Sequence, residues 1–391
     1  MSCNKTLIMI ILIGYITVSC IERYYLTEQS DLSSRIVVEA LITDQDTIQK
    51  VILSRTSSPD HPKITPLTGC RVSVADINDN EYILNEQSEE PGVYEGAVHE
   101  SSLYTGNKFR LNFITPSGDE YLSEYEELLP CPPVDSLYYE VQSIPTTDPA
   151  VTVDGVQFNL DFKAPEDYGR YYRIQVDETW EYHSTWPITM YWAGKLYYNL
   201  LDFSLYTCYK TIPVDDIFVL STTGFNENSY KKYRLHFVDD HTQRLLYKYS
   251  LLVKQYSLSE EAFYYWEELD RNSQESGGLL DRQPALVKSN VTNTRNPDEI
   301  VLGYFGVSSV RTRRFVFSDF KGLTFSDLIY CQARKLEERL SEYGPEEWPI
   351  YLVYFQDPVT EARVLGIANP DCFDCTLRGG TTEKPSYWDE K

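Results

Sequence analysis

The side chains of this 391-residue chain best equipped for chemistry are its eight cysteines, and their surroundings separate them into kinds. Cys20 ends Thr17-Val18-Ser19-Cys20, directly behind an apolar run from Leu7 to Ile16 that follows Lys5. A charged start, a short apolar core and a small residue before the cut make a secretory leader over residues 1–19. A cysteine next to that cut is the lipobox arrangement, in which the thiol takes a diacylglycerol, bringing acyl chains such as palmitate. Cys3 leaves with the leader. Cys70, Cys131, Cys208, Cys331, Cys372 and Cys375 remain, and an even number in an exported chain favours disulfides, with fifteen pairings open. Cys372-Phe373-Asp374-Cys375 is a lone CxxC. It lacks the βαβ context of a redox pair and the second pair of a zinc site. The expectation is a structural disulfide, made with each other or with Cys208 or Cys331.

Other constellations are thin. The histidines are His61, His99, His183, His236 and His241, and HExxH is absent, as are a Gly-x-Ser-x-Gly elbow and a phosphate-cradling loop. No catalytic residue, metal ligand or cofactor is therefore expected. Asp76-Ile77-Asn78-Asp79-Asn80 begins like a calcium loop, but Glu81 stands where glycine is needed and Gln87 where a closing glutamate is needed. A tight turn accounts for the same residues. Carboxylates are abundant enough to supply a glycosidase-like pair, the least favoured of the readings. Aromatics are also abundant, with 32 Tyr, 16 Phe and 6 Trp. Trp180, Tyr182, Trp186, Tyr191 and Trp192 crowd one segment that reaches Tyr198. They read either as a binding surface, with Trp180, Trp186 and Trp192 stacking on a sugar, or as the packed core of a long hairpin.

The charge balance limits what such sites can serve. Asp and Glu number 59 against 35 Lys and Arg, a net charge of −24. That excludes nucleic acid, which needs clustered positive charge. The apolar run near the start is too short to span a bilayer, and no later segment is long and apolar enough.

The elements that must position these residues are mostly strands. A lipidated leash over 20–34 leads to β-branched or alternating segments at 36–42, 50–55, 71–76, 81–85, 108–114 and 120–123, the spacing of a small β-sandwich over 35–130. Pro130-Cys131-Pro132-Pro133 cannot join a ladder and marks a stiff boundary. A larger β-rich domain over 134–391 follows, with strands at 156–162, 170–176, 232–237, 246–253 and 350–355. Two helices are inserted in it. Ser257 and Glu260 suggest a capping box opening a helix near 258–276, with Ala262, Phe263, Trp266 and Leu269 on its apolar stripe and Gly277-Gly278 as its stop. Leu328, Ile329, Ala333, Leu336 and Leu340 predict a second over 326–343. The fold class is mainly β.

Leu258-Ser259-Glu260-Glu261-Ala262-Phe263-Tyr264-Tyr265-Trp266 resembles the central motif of a Bacteroidetes outer-membrane lipoprotein family known by its domain of unknown function 4249. So do Asn290-Val291-Thr292-Asn293 with Pro297, and Val301-Leu302-Gly303-Tyr304-Phe305. The tail matches through Cys372-x-Asp374-Cys375, Arg378-Gly379-Gly380, Lys384-Pro385 and Trp388. Ala40 departs from a usual glycine, and Phe373 interrupts cysteines that are often adjacent. The resemblance implies an Ig-like first sandwich similar to carboxypeptidase regulatory domains, and no established activity. Its members are typically encoded beside TonB-dependent outer-membrane transporters. It therefore implies a non-enzymatic accessory or binding component of such a transporter, anchored through Cys20 in outer-membrane lipid, with a peptide or glycan as cargo. The cell-surface face is favoured over the periplasmic one. A surface glycan-binding or adhesive module is the alternative.

Overall fold

The computed structural model describes residues 35–57, 64–146, 152–274, 286–323, 325, 331–337 and 339–389. The leader, Cys20 and the leash lie outside the described residues.

The first sandwich is built from β1 (Ile36–Thr43), β2 (Ile48–Arg55), β3 (Thr65–Pro66), β4 (Arg71–Asp76), β5 (Glu81–Glu86), β6 (Val93–Ala97), β7 (Lys108–Ile114), β8 (Glu120–Ser123) and β9 (Glu126–Glu127). Its strands obey the two-residue period of a half-buried sheet. In β7, Phe109, Leu111 and Phe113 are fully buried while Lys108, Arg110 and Asn112 look outward. They meet Ile36, Val38, Val51, Val72 and Val74 in one core. The β4–β5 turn forms as expected. Asp76 Oδ1 accepts the backbone N–H groups of Asn78 at 2.8 Å and Asn80 at 3.0 Å, and Asp79 takes a left-handed φ of 62°.

The chain continues through β10 (Ser136–Pro145), β11 (Thr152–Lys163), β12 (Tyr171–His183), β13 (Tyr191–Trp192), β14 (Leu196–Tyr197), β15 (Thr207–Pro213), β16 (Phe218–Ser221), β17 (Ser229–Asp239) and β18 (Lys248–Ser257). The helix α1 (Glu260–Gln274), β19 (Val291–Asn293), β20 (Leu302–Ser308) and β21 (Val310–Ser318) follow. A three-stranded sheet, β10-β11-β17, faces a sheet in the order β15-β12-β18-β21 with β16 paired to β12. Phe158, stacked on Tyr249 at 5.3 Å, sits where the two sheets meet in a second core. The last elements are β22 (Arg334–Lys335), β23 (Ile350–Gln356) and β24 (Arg363–Ile367), which with β13 and β14 make a small sheet in the order β14-β13-β23-β24-β22.

Three expectations are corrected. The boundary at residues 130–133 does not close the first unit. β19 pairs with β8, and β20 pairs parallel to β1, from Val37 opposite Leu302 to Thr43 opposite Ser308. Residues far along the chain thus complete the first sandwich, and Gly303 is what lets β20 dock. Its φ is 85°, and a Cβ there would stand 1.9 Å from the carbonyl oxygen of Val38. The proline segment is itself packed down, with Gln255 Nε2 donating to the Pro132 carbonyl at 2.8 Å.

The helix at 326–343 is the second correction. Residues 326–330 lie outside the described residues, and beyond them the chain is extended, then turns. Arg334 and Lys335 pair with Ile367 and Gly366, and Leu340–Glu342 form a single 3₁₀ turn. A short helical stripe is marginal without a packing face, and here sheet pairing and a disulfide at Cys331 hold the backbone open. The third concerns the helix that does form. Its cap is Ser259, whose Oγ accepts the Ala262 N–H at 3.1 Å, not Ser257. Ser257 is still strand, opposite Tyr172, and its hydroxyl donates to the Leu129 carbonyl at 2.7 Å.

Candidate functional site

Of the residues singled out in the sequence, the cysteines divide cleanly. Cys208 is bonded to Cys375 and Cys331 to Cys372, so the CxxC cysteines are not joined to each other. Cys70 and Cys131 are free thiols, and Cys131 is buried. Burial pushes the Cys131 thiol up to about 12, out of the range of a nucleophile at neutral pH. Among the described residues no group of histidine, cysteine or carboxylate side chains could hold a metal.

The aromatic segment is not one surface. Trp180 and Tyr182 are buried in the second core, and the Tyr182 hydroxyl donates to the Cys375 carbonyl at 2.8 Å. Trp186 lies 5.4 Å from the Phe373 ring in a separate cluster that includes Tyr191. Trp192 is half-buried on β13, beside Ile350 of β23. Trp180 and Trp186 therefore spend their faces on protein neighbours, which removes the three-tryptophan stacking platform. The period of β12 is the reason: Tyr172, Ile174, Val176, Trp180 and Tyr182 are all buried positions of that strand.

The opposite face of β12 builds something else. Tyr171 and Arg173 point outward, where α1 packs. Helix α1 is a wedge between the two sandwiches. Ala262 and Phe263 are buried on it, and Leu258 just before it and Tyr304 of β20 join the same apolar cluster. Acidic Glu260 and Glu261 stand in its first turn and Arg271 in its last, as the helix dipole prefers. Glu126 pins its start. This buried carboxylate accepts from Ser259 Oγ at 2.8 Å, from Asn290 Nδ2 at 3.3 Å and from the Tyr304 hydroxyl. Burial nonetheless raises its pKa above the ordinary carboxylate value.

Between α1 and the outer face of β2-β1-β20 a groove of about 560 Å³ is left open. Val37, Leu41 and Ile52 line the sheet side, and Ala262, Trp266 and Leu269 the helix side. Such a volume, mostly apolar with few polar groups, is the usual form of a small-molecule site. Two polar groups stand out. The Arg173 guanidinium lies 3.6 Å from the Trp266 ring and 5.8 Å from that of Tyr256, and among the described residues no carboxylate pairs with it. Burial pushes its pKa down from the ordinary value. Ser308, 1% exposed, also lines the groove, and among the described residues its hydroxyl has no hydrogen-bond partner. Leaving such a group unsatisfied costs about 1–3 kcal/mol. Tyr265, on the same helix, is pushed up to about 12 by burial and stays a neutral donor. Exposed Glu39 of β1 and Lys50 of β2 also line the groove, and Lys50 is 3.1 Å from Glu90.

Sequence reasoning missed Arg173 and Ser308 because each sits in an ordinary strand. The one legible hint was an arginine on the polar phase of β12 with an unusually aromatic helix downstream.

Residues 22–314 match the family model described as Domain of unknown function (DUF4249), and the chain belongs to that family. No curated protein matches. Among solved structures the chain is similar to trypsin-activated alpha-2-macroglobulin from Escherichia coli, at 9% identity over 88% of this chain and 18% of that one. The TM-score is 0.19, which carries nothing about fold or role.

Proposed function

We propose that this DUF4249 member is a non-enzymatic binding component, anchored at the outer membrane through Cys20, that serves a TonB-dependent transporter. What supports the reading is the groove between α1 and the first sandwich: an open, largely apolar seat walled by both sandwiches. Its walls bring a cation and a hydroxyl to bind with. A lipid on Cys20 would hold that seat beside a membrane partner, and acyl burial is worth about 0.8 kcal/mol per CH₂. The groove also ties the unit at the leash to the rest of the chain, since β1 begins at Ile36 and lines it.

Affinity purification of the full chain from native membranes tests this. A β-barrel transporter is expected to co-purify, and radiolabelled palmitate is expected to enter the wild type but not Cys20→Ala. A chain that always isolates alone sinks the transporter reading. Protease shaving of intact cells assigns the face, with cleavage expected on the cell surface.

A further inference from the structure

We infer that the groove takes a small amphipathic carboxylic acid, its carboxylate on Arg173 and its apolar body along the cleft between α1 and β1. This rests on reading the groove as the ligand seat and names the chemistry of what sits there.

Arg173 is held against the Trp266 and Tyr256 rings, and among the described residues no carboxylate pairs with it. In a chain of net charge −24 an arginine that no described carboxylate pairs is conspicuous. A desolvated guanidinium is the natural receiver of a planar two-oxygen anion, because its fork of N–H donors matches that geometry. Ser308 adds an independent observation. Its buried hydroxyl lines the same cleft with no partner among the described residues, so a polar atom of a ligand there would satisfy it. Apolar contacts from Val37, Ile52 and Leu269 leave the rest of the cleft suited to a hydrocarbon body.

The cleft also selects against an extended peptide. Such a ligand needs a sheet edge to satisfy its backbone. Here β1 is paired on both sides, with β2 and β20, and β2 with β1 and β6. At β20 the Phe305 backbone is already taken in both directions by Asn290, at 3.0 and 2.8 Å. A ligand with one anionic head and no string of amides fits these constraints.

The experiment uses the full chain carrying Cys20→Ala, so that no detergent competes, with decanoate and 1-decanol as probes in calorimetric titrations. Decanoate is expected to bind saturably at one site, and decanol at least about tenfold more weakly, the loss of one charge-assisted contact. Arg173→Met is expected to erase that preference, Arg173→Lys to keep part of it, and Leu269→Trp to fill the cleft and abolish binding of both. Thermal unfolding unchanged from the parent qualifies each variant as folded. Equal binding of decanoate and decanol, a preference that survives Arg173→Met, or only non-saturable partitioning overturns the inference. Leu269→Trp in the membrane purification separates the two readings. If it loses the membrane partner while the parent ignores decanoate, the ligand class falls and the groove remains the seat.

Discussion

The first sandwich and the carboxy-terminal sheet solve the same stability problem by opposite means. The sandwich buries a continuous apolar core, with Ile36, Val38, Val51, Val74, Phe109, Leu111 and Phe113 all inaccessible to solvent, and its one described cysteine, Cys70, is a free thiol. The small sheet of β13, β14, β22, β23 and β24 has strands of two to seven residues; it buries Leu352 and Ile367 on its own strands, and the cluster beside it has only Ile188, Cys372 and Phe373 as buried members. It is held by covalent bonds, Cys331–Cys372 beside it and Cys208–Cys375 tying the tail to β15. Hydrophobic burial scales with area. A loop-rich region that cannot enclose enough area recovers stability by restricting the unfolded chain. The polar contacts follow the same division, since the tail is stitched to the second sandwich by single anchors. Trp388 Nε1 donates to Glu181 at 2.9 Å, and Lys210 Nζ donates to the Arg378 carbonyl at 3.2 Å.

The largest expected effect is on the covalent side. Cys208→Ala with Cys375→Ala opens a bond of sequence separation 167, worth about 5 kcal/mol by loop-closure entropy. Hydrogen exchange should show the protection of residues 350–389 lost while β7 amides keep theirs. If both regions lose protection together, the contrast between them is broken. Phe109→Ala, at a fully buried site, should cost about 3–5 kcal/mol in urea unfolding. Its exchange signature should be the reverse, with the sandwich loosened and the stapled tail retained. Trp388→Ala removes a ring that is 2% exposed and packs 5.3 Å from Tyr209. About 3 kcal/mol is expected, seen as release of the tail under oxidising conditions.

Two buried glutamates give the smallest and most diagnostic effects, because their signs oppose. Burial would raise Glu178, but His236, the Tyr249 hydroxyl and Arg244, the last at 3.0 Å, hold it below the ordinary carboxylate value. A depressed carboxylate stabilises the fold above its unfolded pKa and loses that contribution as pH falls through the folded value. Glu178→Gln should therefore cost about 2–3 kcal/mol at pH 7, and the loss should shrink on acidification below pH 4.5, the group's ordinary value. Burial raises Glu126 instead, so its contribution is present below the unfolded pKa and fades as pH rises through the folded one. The gap between wild type and Glu126→Gln should narrow from pH 4.5 upward. Denaturant midpoints across pH for both variants check this, and parallel curves would contradict the opposed environments.

Much of this architecture could be read from the residues. The alternation in β7 and the Asp76 turn each rest on interactions within a few positions, so both appear as expected. The same local reasoning erred over 326–343, where an apolar spacing compatible with a helix is overridden by pairing of Arg334 and Lys335 with β24. It left Trp180 and Trp186 open between a binding surface and a packed core, because aromatic content does not reveal which side of a strand faces a core. The groove was invisible for a stronger reason: Val37, Arg173, Trp266 and Ser308 come from four distant parts of the chain.

Chain order by itself set the mainly β class, a helix near 258–276 and the surplus of cysteines beyond Cys20, since periodicity and composition are local or additive properties. The tertiary structure decided which cysteine meets which, that β19 and β20 return to the first sandwich, and that α1 stands off β1 far enough to leave a cleft with Arg173 at its wall. Those outcomes depend on pairing between residues up to hundreds of positions apart. A two-residue strand period says which side of each strand is apolar but carries no label for the partner.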